Sequence, residues 1–223
     1  MAQSSEILRF QYWNTRILYL IDDILDSDCD EAAVTFLDQL VELNTRDKEK
    51  PILLVIKSNG GSVTTMGAIV DYIHCLQAPV HTQAIGDVAS AAAFLLGVGA
   101  KGKRYVAPSC RVMIHEPWAS GGGGGKADEM ATEARELKRF LEMSYDLMVS
   151  ITGHTLSKIK KDMKSDKWLW AQEAVDYGLA DHIGLSPLLS CMPLPSLPST
   201  SDNTEKISTK KEKTCAETED NAC

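Results

Sequence analysis

The sequence predicts an α/β fold built on a parallel β-sheet. Short apolar runs alternate with amphipathic helical patterns along most of the 223 residues. The run at 52–56 is apolar throughout and lies between Pro51 and the pair Gly60-Gly61, which is typical of a parallel strand buried on both faces. At this length we expect one folded domain with a tail and not two domains.

The first half of the chain predicts two further strands and the helices that connect them. Residues 16–21 and 80–85 are short apolar runs of the strand type. Residues 31–43 place four apolar side chains at helical spacing, and residues 64–76 follow the glycine pair with a second such pattern. Each helix therefore connects two strands, which is the arrangement of a parallel sheet.

The second half predicts two short strands, one long helix and two shorter helices. The strands are expected at 104–106 and 111–114, ahead of five consecutive glycines that form a flexible loop. From 126 to about 151 the apolar residues form one helical stripe, and a helix of this length should project or line an interface. The shorter helices are expected at 157–163 and 171–177.

Residues 187–223 differ in composition from the rest of the chain. They contain four of the eight prolines and no aromatic residue, a composition that predicts disorder. The predicted organisation is therefore a short N-terminal segment over 1–15, a folded domain over 16–186 and this tail.

The charge and the apolar runs exclude several classes of function. The formal net charge of −8 argues against nucleic acid as a partner. The apolar stretch at 88–100 contains two glycines and is shorter than the roughly 20 residues that cross a bilayer. No secretory signal precedes the first strand, so we expect no membrane partner.

The cysteines indicate a reducing compartment. All six lie far apart, and none has the C-x-x-C spacing of zinc or redox sites. We therefore expect no bound metal, no disulfide framework and a cytoplasmic location, with a plastid or another organelle left open.

The segment at 86–96 carries the strongest functional signal. In it Ser90 stands between Gly86 and a run of small apolar helix formers, which places the serine at a helix N-terminus. The positive end of the helix dipole favours a nucleophile there, and small neighbours leave backbone N–H groups open to a developing oxyanion. A serine at this position is more commonly a helix N-cap, so its role depends on its partners.

Two downstream residues complete the chemistry of a serine nucleophile. His115 ends a predicted strand and offers a general base, and Asp166 offers an acid that orients the histidine. Asp162 competes with Asp166 for that role. A cysteine nucleophile is disfavoured because neither Cys75 nor Cys110 has a glycine-framed helix start.

The glycine pair adds the last part of the predicted site. Most such pairs are tight turns, but a pair at a strand end can also present bare N–H groups to an oxyanion. The carboxyl ends of parallel strands and the helix start at Ser90 face one crevice. We therefore predict the N–H groups of Gly61 and Ala91 as oxyanion donors.

The chain order of these residues separates the protein from the common serine hydrolases. Serine, histidine and aspartate follow one another here, which is the order of neither the α/β-hydrolases nor the chymotrypsin-like or subtilisin-like enzymes. The serine also lacks the G-x-S-x-G elbow, so these three folds are disfavoured.

Five segments occur in a fixed order along the chain. They are Ser58-Asn59-Gly60-Gly61-Ser62-Val63, residues 86–93, residues 99–105, residues 111–117 with His115-Glu116-Pro117 at the end, and residues 173–181. Together they resemble the proteolytic subunits of the ATP-dependent Clp protease (the ClpP family, peptidase family S14). The resemblance covers 16–183, nearly all of the predicted folded domain.

The resemblance implies a serine endopeptidase that cleaves unfolded proteins to short peptides. Carried over by motif, Ser90 is the nucleophile, His115 the general base and Asp166 the acid that orients it. Gly61 and Ala91 are the oxyanion donors. The implied fold is crotonase-like, with stacked ββα units and a projecting long handle helix.

The resemblance also implies an assembly. Two stacked rings of seven copies would enclose a degradation chamber, and an AAA+ Clp unfoldase would feed it. ATP would be used by that partner, and this chain, which has no Walker A motif, is expected to hold no cofactor.

Four positions depart from the family pattern. They are Asn59 for a usual proline, Asp87 for a neutral residue, Glu116 for a glutamine and Ser165 for an arginine that helps rings to pair. A carboxylate at position 87 would oppose oxyanion formation at Ser90 if it pointed into the cleft.

Three other functions stay open at this point. A phage-like head-maturation protease shares the serine and histidine segments and a tryptophan at the position of Trp118. A crotonase-type acyl-CoA enzyme shares the fold but uses acidic residues in place of a serine triad. A non-catalytic ring subunit usually lacks a triad member, whereas none is missing here.

Overall fold

The computed structural model describes residues 15–21, 23–24, 31–118 and 126–190. These residues belong to one compact unit of the chain, Met1–Cys191. Nearly all of the predicted N-terminal segment and tail, and the run of five glycines, lie outside the described residues.

The described residues form seven strands and seven helices. The strands are β1 (Ile17–Ile21), β2 (Ile52–Ser58), β3 (Val80–Ala89), β4 (Arg104–Val106), β5 (Arg111–Ile114), β6 (Lys167–Trp170) and β7 (His182–Ile183). The helices are α1 (Glu31–Arg46), α2 (Val63–Cys75), α3 (Ala91–Gly97), α4 (Ala127–Thr152), α5 (Leu156–Met163), α6 (Ala171–Asp176) and α7 (Pro187–Ser190).

All seven strands belong to one sheet. Its order is β1-β2-β3-β4-β7, with β5 beside β3 and β6 beside β5. The strand pairs are parallel, apart from β5 and β6, which are antiparallel. The predicted α/β class with a parallel sheet is therefore confirmed, and β6 and β7 are strands that the sequence did not predict.

β3 is longer than the sequence predicts because Gly86 bends the strand instead of ending it. This glycine has a φ of +62°, a conformation that residues with a Cβ rarely adopt. Residues 82–84 pair with β4, and residues 87–89 pair with β5. One strand therefore joins the central sheet to the β5–β6 pair and ends directly before Ser90.

Helices cover one face of the central sheet, and α7 covers part of the other. Most of the core lies between the sheet and helices such as α2 and α3, which pack on one face. On the other face Ile17, Leu53 and Val55 pack against Leu188 and Leu189 of α7. The first residues of the predicted tail are thus helical and part of the fold.

The long helix α4 packs on the domain through its C-terminal half. Tyr145, Met148 and Ile151 are buried there, whereas residues 128–136 are exposed. Met130, which the sequence places on the apolar stripe, is half exposed. Neither α4 nor any other helix in the described ranges has the length and apolar character needed to cross a bilayer.

Candidate active site

Ser90, His115 and Asp166 lie in one continuous chain of hydrogen-bonding contacts. The Oγ of Ser90 lies 2.7 Å from Nε2 of His115, and Nδ1 of His115 lies 3.1 Å from Oδ1 of Asp166. The serine follows β3, the histidine follows β5 and the aspartate precedes β6. The pairing of β5 with β3 and β6 therefore brings three distant segments together.

The backbone of Ser90 is strained. Its φ of 55° and ψ of −126° lie outside the regions that residues with a Cβ normally occupy. The residue does stand at the N-cap position of α3, but its side chain makes no capping hydrogen bond. Its N–H donates to the carbonyl oxygen of Met113 over 2.9 Å, which holds the turn against β5.

The position of His115 is fixed from two sides. The register between β5 and β6 pairs Ile114 with Lys167, so the next residues outward, His115 and Asp166, lie opposite each other. The N–H of Glu116 donates to the carbonyl oxygen of Met163 over 2.9 Å. The histidine side chain is 15% exposed and the aspartate side chain 64%, so solvent reaches the acid far more than the base.

Asp162, the competing acid, belongs to a different cluster. Its carboxylate accepts hydrogen bonds from Lys158 and Tyr177 and lies 3.5 Å from Nζ of Lys167. Burial alone would raise the pKa of Asp162, but these hydrogen bonds and lysine charges outweigh it and lower the pKa. The acid that contacts His115 is therefore Asp166 and not Asp162.

The glycine pair lies directly against the serine. Gly60 and Gly61 have φ values of +97° and +139°. A Cβ on Gly60 would lie 2.7 Å from Cβ of Ser90 and 2.9 Å from the nitrogen of Ala91. Only a glycine lets the two segments approach this closely.

Both predicted oxyanion donors are left available by the surrounding pairing. Ile24 donates to the carbonyl of Gly60 and accepts from the N–H of Ser62, each over 2.7 Å. The N–H of Gly61, which lies between Gly60 and Ser62 in the chain, takes no part in these two hydrogen bonds. Ala91 is the first residue of α3, and the first N–H groups of a helix have no acceptor within it.

The carboxylate of Asp87 is paired with Arg111. The Nε of Arg111 donates to Oδ1 over 3.0 Å, and Nη2 donates to Oδ2 over 2.6 Å. The guanidinium also lies 4.7 Å from the ring centre of Trp168. The sequence does not indicate this partner, because the strand it predicts ends at residue 85 and the pairing of Asp87 with Arg111 is evident only in the structure.

A second unpredicted contact joins the histidine segment to the long helix. The hydroxyl of Tyr145 on α4 donates to the carboxylate of Glu116. Burial, followed by this hydrogen bond, raises the pKa of Tyr145 to about 12, so the hydroxyl keeps its proton at neutral pH. Glu116, one of the departures from the family pattern, therefore has a hydrogen-bond partner in Tyr145, as Asp87 has one in Arg111.

Two further features bear on the site. A cavity of about 520 Å³ adjoins the glycine pair; its lining is Asp23, Lys57, Ser58, Asn59, Gly86 and Asp87.

Burial raises the pKa of Cys110 to about 12, which keeps the thiol protonated and inert at neutral pH.

Comparison with known proteins identifies the family. Residues 4–186 match the family model for Clp protease. Over 168 residues the chain is 38% identical to the ATP-dependent Clp protease proteolytic subunit 1 of Bifidobacterium longum (strain NCC 2705), which covers 75% of this chain and 70% of that protein. The sheet and helices described above are consistent with this family's fold.

These matches set aside the acyl-CoA and head-maturation alternatives. The chain is a proteolytic subunit of a Clp protease and, as such, a serine peptidase. It belongs to the Clp protease family.

Proposed function

We propose that Ser90, His115 and Asp166 are the catalytic triad with which this peptidase cleaves unfolded polypeptides to short peptides. The observation that carries the proposal is the pair of contacts on the imidazole, 2.7 Å to the serine and 3.1 Å to the aspartate. They match the geometry in which a histidine takes a proton from a serine while an acid holds its tautomer.

The chemistry follows from these contacts. The Oγ of Ser90 attacks the carbonyl carbon of the scissile peptide bond while its proton passes to Nε2 of His115, and the carbonyl oxygen becomes an oxyanion. Collapse of this intermediate breaks the C–N bond, and the imidazolium gives its proton to the leaving amine. Water then hydrolyses the acyl-enzyme through the same histidine. Asp166 accepts the Nδ1–H throughout.

The N–H groups of Gly61 and Ala91 are proposed as the donors that stabilise the oxyanion. Gly60 packs against Ser90 and Ala91, which keeps the glycine loop beside the nucleophile. Ala91 also opens α3, so the positive end of that helix lies at the same place. Loss of one such donor typically costs a factor of about 10² to 10³ in rate.

The strained backbone of Ser90 supports the nucleophile assignment independently. A non-glycine residue with positive φ is maintained only where the surrounding structure enforces it, and such residues concentrate at active sites. Here the backbone hydrogen bond to Met113 and the packed glycine loop enforce it.

We also propose that the chain assembles as two stacked rings of seven and receives substrates from an AAA+ Clp unfoldase. Proteins of this family generally form oligomers and work with Clp unfoldases. The exposed N-terminal half of α4 offers a surface on which other copies can pack. ATP is then used by the unfoldase, and this chain needs no cofactor. The cytoplasmic location stays a prediction.

A fluorophosphonate probe tests the triad on the assembled protein. We expect peptide mass spectrometry to find the phosphonate on Ser90. A Ser90→Ala variant should lose the label, while Ser150→Ala, an exposed serine of α4, should keep it. A folded, assembled wild-type protein without label would overturn the triad and indicate a non-catalytic ring subunit.

Native mass spectrometry and a coupled degradation assay test the assembly. Fourteen copies per particle, and ATP-dependent degradation of a folded substrate when a Clp unfoldase is added, are the expected results. A different number of copies, or degradation that does not respond to the unfoldase, would contradict this part of the proposal.

A further inference from the structure

We infer that Arg111 is the charge-compensating residue of the active site. Its guanidinium neutralises the carboxylate of Asp87, which would otherwise act on the imidazole of His115 and on the oxyanion formed at Ser90. The inference rests on the proposed triad but assigns a role to residues outside it.

The pairing of the strands places these groups on one face of the sheet. Side chains alternate along a strand, so Arg111 and His115 point to the same face of β5. Asp87 of β3 is the direct register partner of Arg111. His115 directly follows β5 and is four positions after Arg111, a rise of about 13 Å at about 3.3 Å per residue. A single charge acts measurably over this distance at low ionic strength, where the Debye length is larger.

The guanidinium is held in a defined position. Besides its two hydrogen bonds to Asp87, it lies 4.7 Å from the ring centre of Trp168 and 5.8 Å from that of Trp170. The side chains of Asp87 and Arg111 are each 41% exposed. Because exposed ion pairs add little to stability, the pair matters for its charge and not for the energy of folding.

The other charged groups that pack around His115 are already engaged. Asp166 is its own hydrogen-bond partner, and Glu116 accepts from Tyr145. Lys167 belongs to the opposite face of β6 and lies 3.5 Å from Asp162. None of these groups needs Arg111 as a partner.

Two more charged side chains adjoin the pair. Lys57 and Asp23 line the cavity that Asp87 also lines, and they carry opposite charges. Their formal charges cancel. In the described part of the chain the ion pair of Asp87 is with Arg111 and not with Lys57, so removal of Arg111 leaves the carboxylate of Asp87 without its partner.

Two substitutions should shift the midpoint of the pH profile of Ser90 labelling in opposite directions. Arg111→Met leaves a negative charge that favours the protonated imidazole, so the midpoint of the pH profile of Ser90 labelling should rise. Asp87→Asn leaves a positive charge, so the midpoint should fall. At this distance and at low salt each shift should be about 0.2 to 0.5 pH units. The double variant should return to the wild-type midpoint.

The experiment measures the rate of fluorophosphonate labelling of Ser90 from about pH 5 to about pH 9, the range in which a histidine titrates. The proteins are the wild type, the two single variants, the double variant and Lys138→Met, an exposed lysine of α4 far along the chain from the site. Each is first shown to be folded and assembled. A repeat at about 1 M salt, where the Debye length is about 3 Å, should abolish the shifts.

Opposite shifts that cancel in the double variant support the inference, as does an unchanged midpoint in Lys138→Met. Shifts in the same direction, or slower labelling in both single variants with no change of midpoint, would overturn it and leave Arg111 a packing role. Absence of label on wild-type Ser90 would instead defeat the proposed triad, so the two failures are distinguishable.

Discussion

Asp181 holds the guanidinium of Arg104 inside the fold. Nε and Nη2 of the arginine donate to the two carboxylate oxygens over 2.9 and 2.6 Å. Nη1 donates to the carbonyls of Gly97 and Gly178, and only 2% of Arg104 is exposed. The pair therefore ties β4 to the end of α3 and to the segment that leads into β7.

Asp181→Asn should be strongly destabilising. The substitution keeps the shape of the side chain but leaves a buried guanidinium without its counter-charge, which typically costs about 3 to 5 kcal/mol. Urea unfolding at fixed protein concentration measures the loss. Asp176→Asn, on an exposed residue five positions earlier, is the control and should change the free energy of unfolding by less than about 0.5 kcal/mol. Equal effects would show that the ion pair is not the cause.

The same pair predicts how stability depends on pH. Burial alone would raise the pKa of Asp181, but the hydrogen bonds and charge of Arg104 outweigh it and lower the pKa below its usual value. This contribution is present above about pH 4 and is lost as the pH falls through the lower folded-state pKa. The urea midpoint should therefore decline less steeply in Asp181→Asn than in the wild type between about pH 5 and about pH 2. Parallel declines would contradict the assignment.

Asp166→Asn and Asp162→Asn should affect different properties. The first removes the acceptor of the imidazole Nδ1–H, so the rate of Ser90 labelling should fall by about 10² to 10⁴ with little change in stability. The second disturbs the cluster of Lys158, Lys167 and Tyr177 and should lower the free energy of unfolding by about 1 kcal/mol while labelling persists. The reverse pattern would make Asp162 the catalytic acid.

Gly61→Ala should damage both the fold and the site. A Cβ at this position would lie 2.1 Å from the carbonyl oxygen of Ile24, and the backbone has a φ of +139°. The loop must therefore move, and we expect labelling of Ser90 to slow at least about 10-fold. Gly67→Ala is the matched control, because a Cβ there meets no atom within 4 Å inside α2. It should raise stability by about 0.5 to 1 kcal/mol and leave labelling unchanged.

The parts of the fold that the sequence predicted are those set by local pattern. The apolar run of β2, the helical stripe of α4 and the small residues after Ser90 each carry a signal in adjacent residues. Ser90 and His115 are likewise predicted because the first stands at the start of a predicted helix and the second at the end of a predicted strand. Asp166 precedes β6, which the local pattern does not indicate, and its contact with His115 in the structure separates it from Asp162.

The parts that the sequence did not predict depend on distant partners. β6 has four residues, of which only Leu169 is buried, and it exists because β5 supplies its hydrogen bonds. Gly86 alone predicts a turn. Only the pairing of residues 82–84 with β4 and of residues 87–89 with β5 shows that β3 continues through it. The charge of Asp87 could be interpreted only once Arg111, 24 positions later, was in place.

The φ of 55° at Ser90 positions the proposed nucleophile but lowers the stability of the fold. A backbone held in such a region costs about 1 to 3 kcal/mol for any residue with a Cβ, and glycine escapes most of that cost. A Ser90→Gly chain should therefore melt at a higher temperature than the wild type, although it cannot form an acyl-enzyme. The most stable sequence for this backbone and the working peptidase would then be different molecules. Selection for turnover, and not for robustness, would be what keeps a hydroxyl at this turn.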